Sequence, residues 1–123
     1  MSKTKAGERD VMLIPALRRL LTVSKLQQDP GARFVFPTTD RAAYSALERA
    51  CKKAGIPRYS PHELRHTFAS ILIDQGEPVT FVAGQLGHAS PDLTLRVYAH
   101  LFEAQDRIDK ARDRLDEAMG GLL

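Results

Sequence analysis

Residues 60–69 read SPHELRHTFA and contain the best-defined helix start in the chain. Ser60 is a preferred N-cap residue, Pro61 suits the first helical position, and Glu63 can accept a hydrogen bond from the backbone N–H of the cap. The apolar positions that follow continue the helical period as far as Gly76, a residue type that often ends a helix. This capping box therefore predicts a helix that begins at Pro61 and stops near Gly76.

Helical patterns flank this segment on both sides. The spacing of apolar residues and the positions of Pro and Gly predict further helices over residues 15–28, 40–53, 80–86, 91–101 and 104–119. Near the start, residues 5–8 favour a tight turn, and residues 10–14 form a short apolar run compatible with a strand. The first few residues can pair with that run as a hairpin. The predicted fold class is mainly α with a small N-terminal β-hairpin or sheet (α+β).

The composition is that of an ordinary globular chain. It has 123 residues, of which 43% are hydrophobic and 27% charged, and this fits one domain or a piece of one. A net charge of +3 permits binding to a polyanion without demonstrating it. Cys51 is the single cysteine, which excludes an internal disulfide and indicates a small apolar helix residue in a reducing, intracellular setting. The sequence has neither a membrane-length apolar run nor a signal peptide.

Residues 62–66 read HELRH and match the H-E-x-x-H pattern of zinc proteases, which places two imidazoles on one helical face. Three observations argue against a zinc site. The capping box puts His62 in the first turn and engages Glu63, Arg65 would set a permanent cation beside the metal, and no third ligand follows at a usual spacing. A zinc hydrolase is therefore the least favoured of the functional classes.

A different set of residues carries chemistry when taken together. His62 and Arg65 are three residues apart and share a helix face, His88 follows a predicted helix end, and Tyr98 lies on the next helix. Lys3 lies near the N-terminus, before the predicted turn. Each of these residues has an ordinary structural explanation by itself, and only the combination favours a catalytic site.

Phosphodiester chemistry explains the combination. Its transition state concentrates negative charge on the non-bridging oxygens, which the planar donors of an arginine can bind bidentately. Imidazoles can donate to the same oxygens or move protons, and a tyrosine hydroxyl can attack phosphorus and hold it covalently. A lysine can give its proton to the leaving 5′-oxygen. Such a site uses side-chain cations and needs no metal or other cofactor.

Four segments resemble the tyrosine recombinases, or phage integrases, in order and spacing. Residues 61–70 resemble the family's H-x-L-R-H-T-F-A segment, residues 86–90 its L-G-H segment, and residues 94–100 its T-x-x-x-Y-x-H segment. Residues 2–9 are similar to the family's hairpin that carries a catalytic lysine. The resemblance covers nearly the whole chain and implies an integrase-like catalytic fold, truncated at the N-terminus.

The resemblance also implies a role for each matching residue. Tyr98 would be the nucleophile that forms a 3′-phosphotyrosyl bond, and Arg65 the second of the family's two catalytic arginines. His62 and His88 would occupy the two histidine-type positions of the site. Lys3 would be the general acid for the 5′-hydroxyl.

Some assignments within the resemblance stay open. Lys5 is an alternative to Lys3, because the register of the hairpin is not determined by the sequence. His66 and His100 are interpreted as structural or supporting residues rather than members of the catalytic set.

The chain departs from the family in one respect. The family's first catalytic arginine lies upstream of the lysine hairpin, and Arg9, Arg18 and Arg19 are in the wrong place to match it. Residues 1–123 are therefore interpreted as the C-terminal part of a catalytic domain, without the first arginine and without the N-terminal DNA-binding domain. Losing one transition-state donor typically costs about a hundredfold to a thousandfold in rate. The chain alone is expected to have little or no recombinase activity.

The resemblance implies partners as well. We expect double-stranded DNA and other recombinase subunits, assembled as a tetramer on DNA with possible exchange of a C-terminal helix. The stripe Ile108, Ala111, Leu115 and Met119 can dock on a neighbouring subunit or fold back on its own core, and the sequence does not choose between them. No membrane is expected as a partner. The implied location is the bacterial cytoplasm, in a bacterial or phage-encoded protein at the nucleoid.

Two other classes compete with the recombinase interpretation. A type IB topoisomerase uses a similar site, but the HELRHTFA and LGH segments favour a recombinase. A non-catalytic DNA-binding or regulatory module also fits the basic charge and the missing arginine. Integration or excision of DNA through strand cleavage and rejoining is the predicted function.

Overall fold

The computed structural model describes residues 5–122, and the predicted catalytic Lys3 lies outside that range. A short 3-10 helix, Lys5–Gly7, precedes five α-helices. These are α1 Pro15–Leu26, α2 Asp40–Ala54, α3 Pro61–Asp74, α4 Val79–Leu86 and α5 Pro91–Met119. Within the described range, no helix combines the length and apolar character that crossing a membrane requires.

The predicted N-terminal β-hairpin or sheet is wrong, because residues 5–122 contain no β-strand. The apolar run over residues 11–14 has no sheet partner there, and its side chains remain between 44% and 56% exposed. An apolar run meets the side-chain requirement of a strand, but a strand also needs a second backbone to pair with its N–H and C=O groups. Residues 5–7 instead form the 3-10 turn. The fold of the described range is α rather than α+β.

Local capping explains where the helices begin. The Thr39 hydroxyl accepts from the Ala42 N–H at 3.2 Å and caps α2. At α3 the predicted capping box is present. The Ser60 N–H donates to Glu63 Oε2 at 2.7 Å, and the Glu63 N–H donates to Ser60 Oγ at 3.3 Å. Hydrogen bonding of the Glu63 carboxylate to the backbone and the side chain of Ser60, with a smaller contribution from His62, lowers the pKa of the Glu63 carboxyl.

The prediction of two helices over residues 91–101 and 104–119 is confirmed in part, because a break is present but lies earlier, at Tyr98. The structure has one element, Pro91–Met119, with a kink at Tyr98, whose backbone is non-helical at φ −114° and ψ 17°. Ser90 caps its start by accepting from the Asp92 N–H at 3.2 Å. The junction between the two helical parts therefore falls at the predicted nucleophile itself rather than after residue 101.

The chain divides into two compact units, and the division falls within α3. One unit comprises residues 11–64, where Cys51 of α2 is buried. The other comprises residues 5–10 and 65–122 of the described range. Its core is formed by side chains of α3, α4 and α5, namely Ala69, Leu72, Ile73, Val82, Leu86 and Tyr98. This second unit, called the core unit below, contains Arg65, His88 and Tyr98.

Candidate active site

Arg65 is held in the core unit by the end of α4. Its half-buried guanidinium donates from Nη2 to the carbonyl oxygen of Leu86, the last residue of that helix. The last carbonyls of a helix have no partner within the helix and carry partial negative charge, so a guanidinium is a favourable donor there. Since arginine has five N–H donors, this contact orients the group and leaves donors for a phosphate.

Tyr98 is buried, with 5% of its surface exposed, and its hydroxyl has a defined partner. The hydroxyl oxygen lies 2.5 Å from Nδ1 of His66, and the two rings meet edge to face with centroids 5.6 Å apart. Burial raises the pKa of the Tyr98 hydroxyl, because it disfavours the phenolate, and the Arg65 guanidinium acts in the opposite direction. Tyr98 and Arg65 are therefore close enough to influence each other electrostatically.

His88 lies directly after the turn that ends α4. Its Nδ1 is 2.5 Å from the hydroxyl oxygen of Thr94, a fully buried residue of α5. Burial lowers the pKa of the His88 imidazole, and the guanidinium groups of Arg65 and Arg9 lower it further. The imidazole is consequently oriented by Thr94 and favoured in its neutral form.

Arg9 brings a second guanidinium to the same turn. Its Nε donates to the carbonyl oxygen of Gln85 at 2.9 Å, and its Nη1 donates to that of Gly7 at 3.1 Å. Gly87 adopts a left-handed conformation with φ +73°, and a Cβ placed on it would lie 2.6 Å from Arg9 Nη1. A side chain at residue 87 would therefore collide with Arg9 as well as strain the backbone.

The other predicted site residues are placed differently. His62 is exposed in the first turn of α3 and belongs to the unit of residues 11–64. Lys5, the alternative to Lys3, is exposed in the 3-10 turn. The core unit thus brings together Arg65, His88 and Tyr98.

Sequence reasoning missed the contacts that His66, Thr94 and Arg9 make with this group. His66 had been interpreted as a structural or supporting residue, yet it is the residue that contacts the Tyr98 hydroxyl. Its position directly after Arg65 gave little indication of the contact with Tyr98, because consecutive residues of a helix point in different directions. The contact of Arg9 with Gln85, which spans 76 residues, had no signal in the sequence.

The HELRH segment does not use its glutamate as the zinc pattern would require. Glu63 accepts from the Ser60 N–H, as the capping box predicts. Across residues 5–122, no group of three or more His, Cys, Asp or Glu side chains is arranged to hold a metal ion.

Comparison with known proteins extends the resemblance. The chain is 37% identical over 91 residues to the tyrosine recombinase XerC of Corynebacterium glutamicum, which covers 70% of this chain and 29% of that protein. It is 36% identical over 95 residues to the XerC of Halalkalibacterium halodurans, which covers 73% of this chain and 30% of that protein. It is also 40% identical over 65 residues to transposase A from transposon Tn554 of Staphylococcus aureus, which covers 53% of this chain and 18% of that protein.

The chain spans less than a third of the length of these curated relatives. No solved structure gives a significant match. Residues 3–105 match the phage integrase family, and this range includes three of the four segments noted in the sequence and all but the first residue of the segment 2–9. The chain therefore belongs to the phage integrase family of tyrosine recombinases.

Proposed function

We propose that this chain supplies the nucleophile of a site-specific DNA recombinase, which integrates or excises DNA by cleaving and rejoining strands. Tyr98 attacks the scissile phosphate and forms a 3′-phosphotyrosyl bond. The observation that carries the proposal is the grouping of the Tyr98 hydroxyl with Arg65 and His88 in one unit, where the guanidinium acts electrostatically on both residues. Each of these residues also matches a motif of the family.

Arg65 supplies charge stabilisation in this mechanism. A guanidinium remains protonated at all relevant pH values and can bind two oxygens of a phosphate at once. Its contact with the Leu86 carbonyl fixes one edge of the group before DNA arrives. A donor held in place in advance stabilises the developing charge of the transition state without reorganising.

His88 provides a second donor to the same phosphate. In the tautomer that this role requires, the Thr94 hydroxyl donates to Nδ1, which lies 2.5 Å away, and the proton of the neutral imidazole is on Nε2. Nε2 can then donate to a non-bridging oxygen. Thr94 thereby positions His88, and its complete burial keeps water from competing for the contact.

His62 and Lys3 enter the mechanism through the resemblance. His62 takes the first histidine-type position, and Lys3 donates a proton to the 5′-oxygen as the P–O5′ bond breaks. The 123-residue chain by itself is expected to form little covalent complex. None of its residues matches the family's first arginine, and removing one such donor typically lowers the rate about a hundredfold or more.

The proposed partners are double-stranded DNA and further recombinase subunits in a tetramer. Ile108, Leu115 and Met119 of α5 are 53%, 60% and 48% exposed, so these side chains do not pack into the core of their own unit. Docking on a neighbouring subunit would cover them. Sedimentation of the chain at several concentrations tests this, and monomeric behaviour throughout would count against it.

The test of the main proposal is covalent trapping on a nicked suicide DNA substrate. The assay protein is a longer recombinase, in which these 123 residues follow an upstream segment that carries the first arginine. We expect a DNA–protein band that survives denaturant, disappears in Tyr98→Phe and persists in Tyr44→Phe, a matched control at an exposed tyrosine of α2. A folded protein that binds its cognate DNA without forming this band would support a non-catalytic binding module instead.

A further inference from the structure

We infer that His66 is the proton acceptor for Tyr98 during strand cleavage, an inference that rests on the proposed role of Tyr98 as nucleophile. The observation is the 2.5 Å separation between His66 Nδ1 and the Tyr98 hydroxyl oxygen. A general base must lie within hydrogen-bond distance of the proton it removes, and this pair meets that requirement before any DNA is bound.

The geometry around the pair holds it in place. His66 lies on α3 directly after Arg65, and its imidazole meets the edge of the tyrosine ring at an interplanar angle of 65°. The Ser70 hydroxyl donates to the His66 carbonyl oxygen at 2.9 Å within the same helix. Tyr98 itself is almost fully buried at the kink of α5. The Tyr98 ring therefore cannot turn away from His66 without losing its contacts in the core unit.

The reaction needs a proton acceptor at this position. Because burial raises the pKa of the Tyr98 hydroxyl, the phenolate is scarce without help. Arg65, the charged group acting on Tyr98, eases ionisation but cannot accept a proton. His88 is less suited to accept the proton, because its Nδ1 is paired with Thr94. The positive charges of Arg65 and Arg9 also disfavour a further proton on its ring. Among the described contacts of the Tyr98 hydroxyl, the His66 imidazole is therefore the group that can accept the proton.

The step balances without a further reactant. The Tyr98 oxygen forms a bond to phosphorus while the P–O5′ bond breaks. The phenolic proton moves to Nδ1 of His66, and the 5′-oxygen receives its proton from the general acid, the role assigned to Lys3. In rejoining, the 5′-hydroxyl attacks phosphorus and gives its proton back to Lys3. The bond between phosphorus and the Tyr98 oxygen breaks, and the His66 imidazolium returns its proton to that oxygen.

The first test measures the tautomer of His66 in the 123-residue chain and requires no activity. Acceptance from Tyr98 requires an unprotonated Nδ1 and a proton on Nε2. Long-range proton–nitrogen NMR of the four histidine rings, with His66→Asn to assign the signal, is expected to show this tautomer at neutral pH. A His66 ring protonated on Nδ1 when neutral would overturn the inference, because that nitrogen would be a donor to Tyr98.

The second test uses His66→Asn in the longer recombinase. The asparagine amide can occupy the position of Nδ1 and keep a hydrogen bond to Tyr98, but it cannot take up a proton near neutral pH. We expect covalent complex formation to slow by about a hundredfold or more. His100→Asn, at an exposed residue of α5, is the matched control and should leave the rate unchanged.

A substrate with sulfur in place of the bridging 5′-oxygen separates His66 from the general acid, since a thiolate leaves without a proton. The His66→Asn defect should persist on this substrate. If His66→Asn cleaves within about threefold of the native rate while Tyr98→Phe is inactive, the inference fails and the proposed function stands. Cleavage by Tyr98→Phe would overturn the proposed function and the inference with it.

Discussion

Replacement of Gly87 by alanine tests the turn that positions His88. The left-handed backbone at φ +73° costs a non-glycine residue about 1 kcal/mol. The added Cβ would also lie 2.6 Å from Arg9 Nη1 and 3.0 Å from the Ala6 carbonyl oxygen. The guanidinium must move, and its 2.9 Å hydrogen bond to Gln85 is lost, a contact with a net value of about 1 kcal/mol. Gly87→Ala should therefore lower the free energy of unfolding by about 2 kcal/mol.

Gly76→Ala is the matched control in the same unit. Gly76 has φ +84°, but no atom lies within 4 Å of the position of an added Cβ, so this variant should show only the backbone cost of about 1 kcal/mol. Urea denaturation followed by circular dichroism measures both variants. With a urea dependence of about 2 kcal/mol per molar, the midpoint of Gly87→Ala should lie about 0.5 M below that of Gly76→Ala.

A double variant isolates the contribution of Arg9. Once Arg9→Ala has removed the guanidinium, adding Gly87→Ala should cost about 1 kcal/mol less than it does in the native chain. The backbone term and the 3.0 Å approach of the Cβ to the Ala6 carbonyl oxygen remain. Equal losses for Gly87→Ala and Gly76→Ala in the presence of Arg9 would refute the reasoning. In that case the guanidinium would not be packed against the turn.

Three further predictions concern the cap of α3 and the surroundings of His88. Ser60→Ala should destabilise the chain by about 1 kcal/mol at neutral pH, because the N-cap hydroxyl is lost, whereas Ser60→Thr should retain most of this stabilisation. Urea denaturation compares the two variants, and equal stability would contradict the capping role. The lowered pKa of His88 means that folding disfavours its protonated form, so this residue contributes stability above its unfolded pKa, near 6.5, that is lost as pH falls below it. The free energy of unfolding measured from pH 8 to 5 should therefore fall less steeply in His88→Gln, and an unchanged pH dependence would count against the shift. Thr94→Val removes the 2.5 Å contact to His88 and should lower the free energy of unfolding by about 1 to 2 kcal/mol. Thr94→Ser keeps the hydroxyl and should show the native His88 ring signals in NMR. Native signals in Thr94→Val would show that the contact does not orient the ring.

Local features were predicted well from the sequence. The capping box at Ser60 and Glu63 was anticipated, and so were the start of α2 near Thr39 and the glycine turn after α4. In each case the interacting groups are at most four residues apart, so the residue types alone specify the geometry. The same holds for the family motifs, whose residue types and spacing by themselves indicate the phage integrase family.

The predicted N-terminal strand is wrong because a strand needs a second backbone segment to pair with. The apolar run of residues 11–14 was interpreted as a strand, but the described range provides no partner for it. The pattern of side chains shows which face is apolar, whereas sheet formation depends on a second segment that the pattern does not identify. The break in α5 was placed a few residues too late for a related reason, because the apolar stripe of α5 reports the faces of the helix and not the path of its axis.

The sequence by itself determined the helical character of the chain, the caps that begin its helices and the residues that match the recombinase motifs. The tertiary structure decided which of these residues meet. His66 reaches Tyr98 across 32 residues of sequence, and Arg9 reaches Gln85 across 76. Such contacts depend on how the helices and the segment before α1 pack within the core unit, and packing geometry follows from many side chains at once rather than from the spacing of any few.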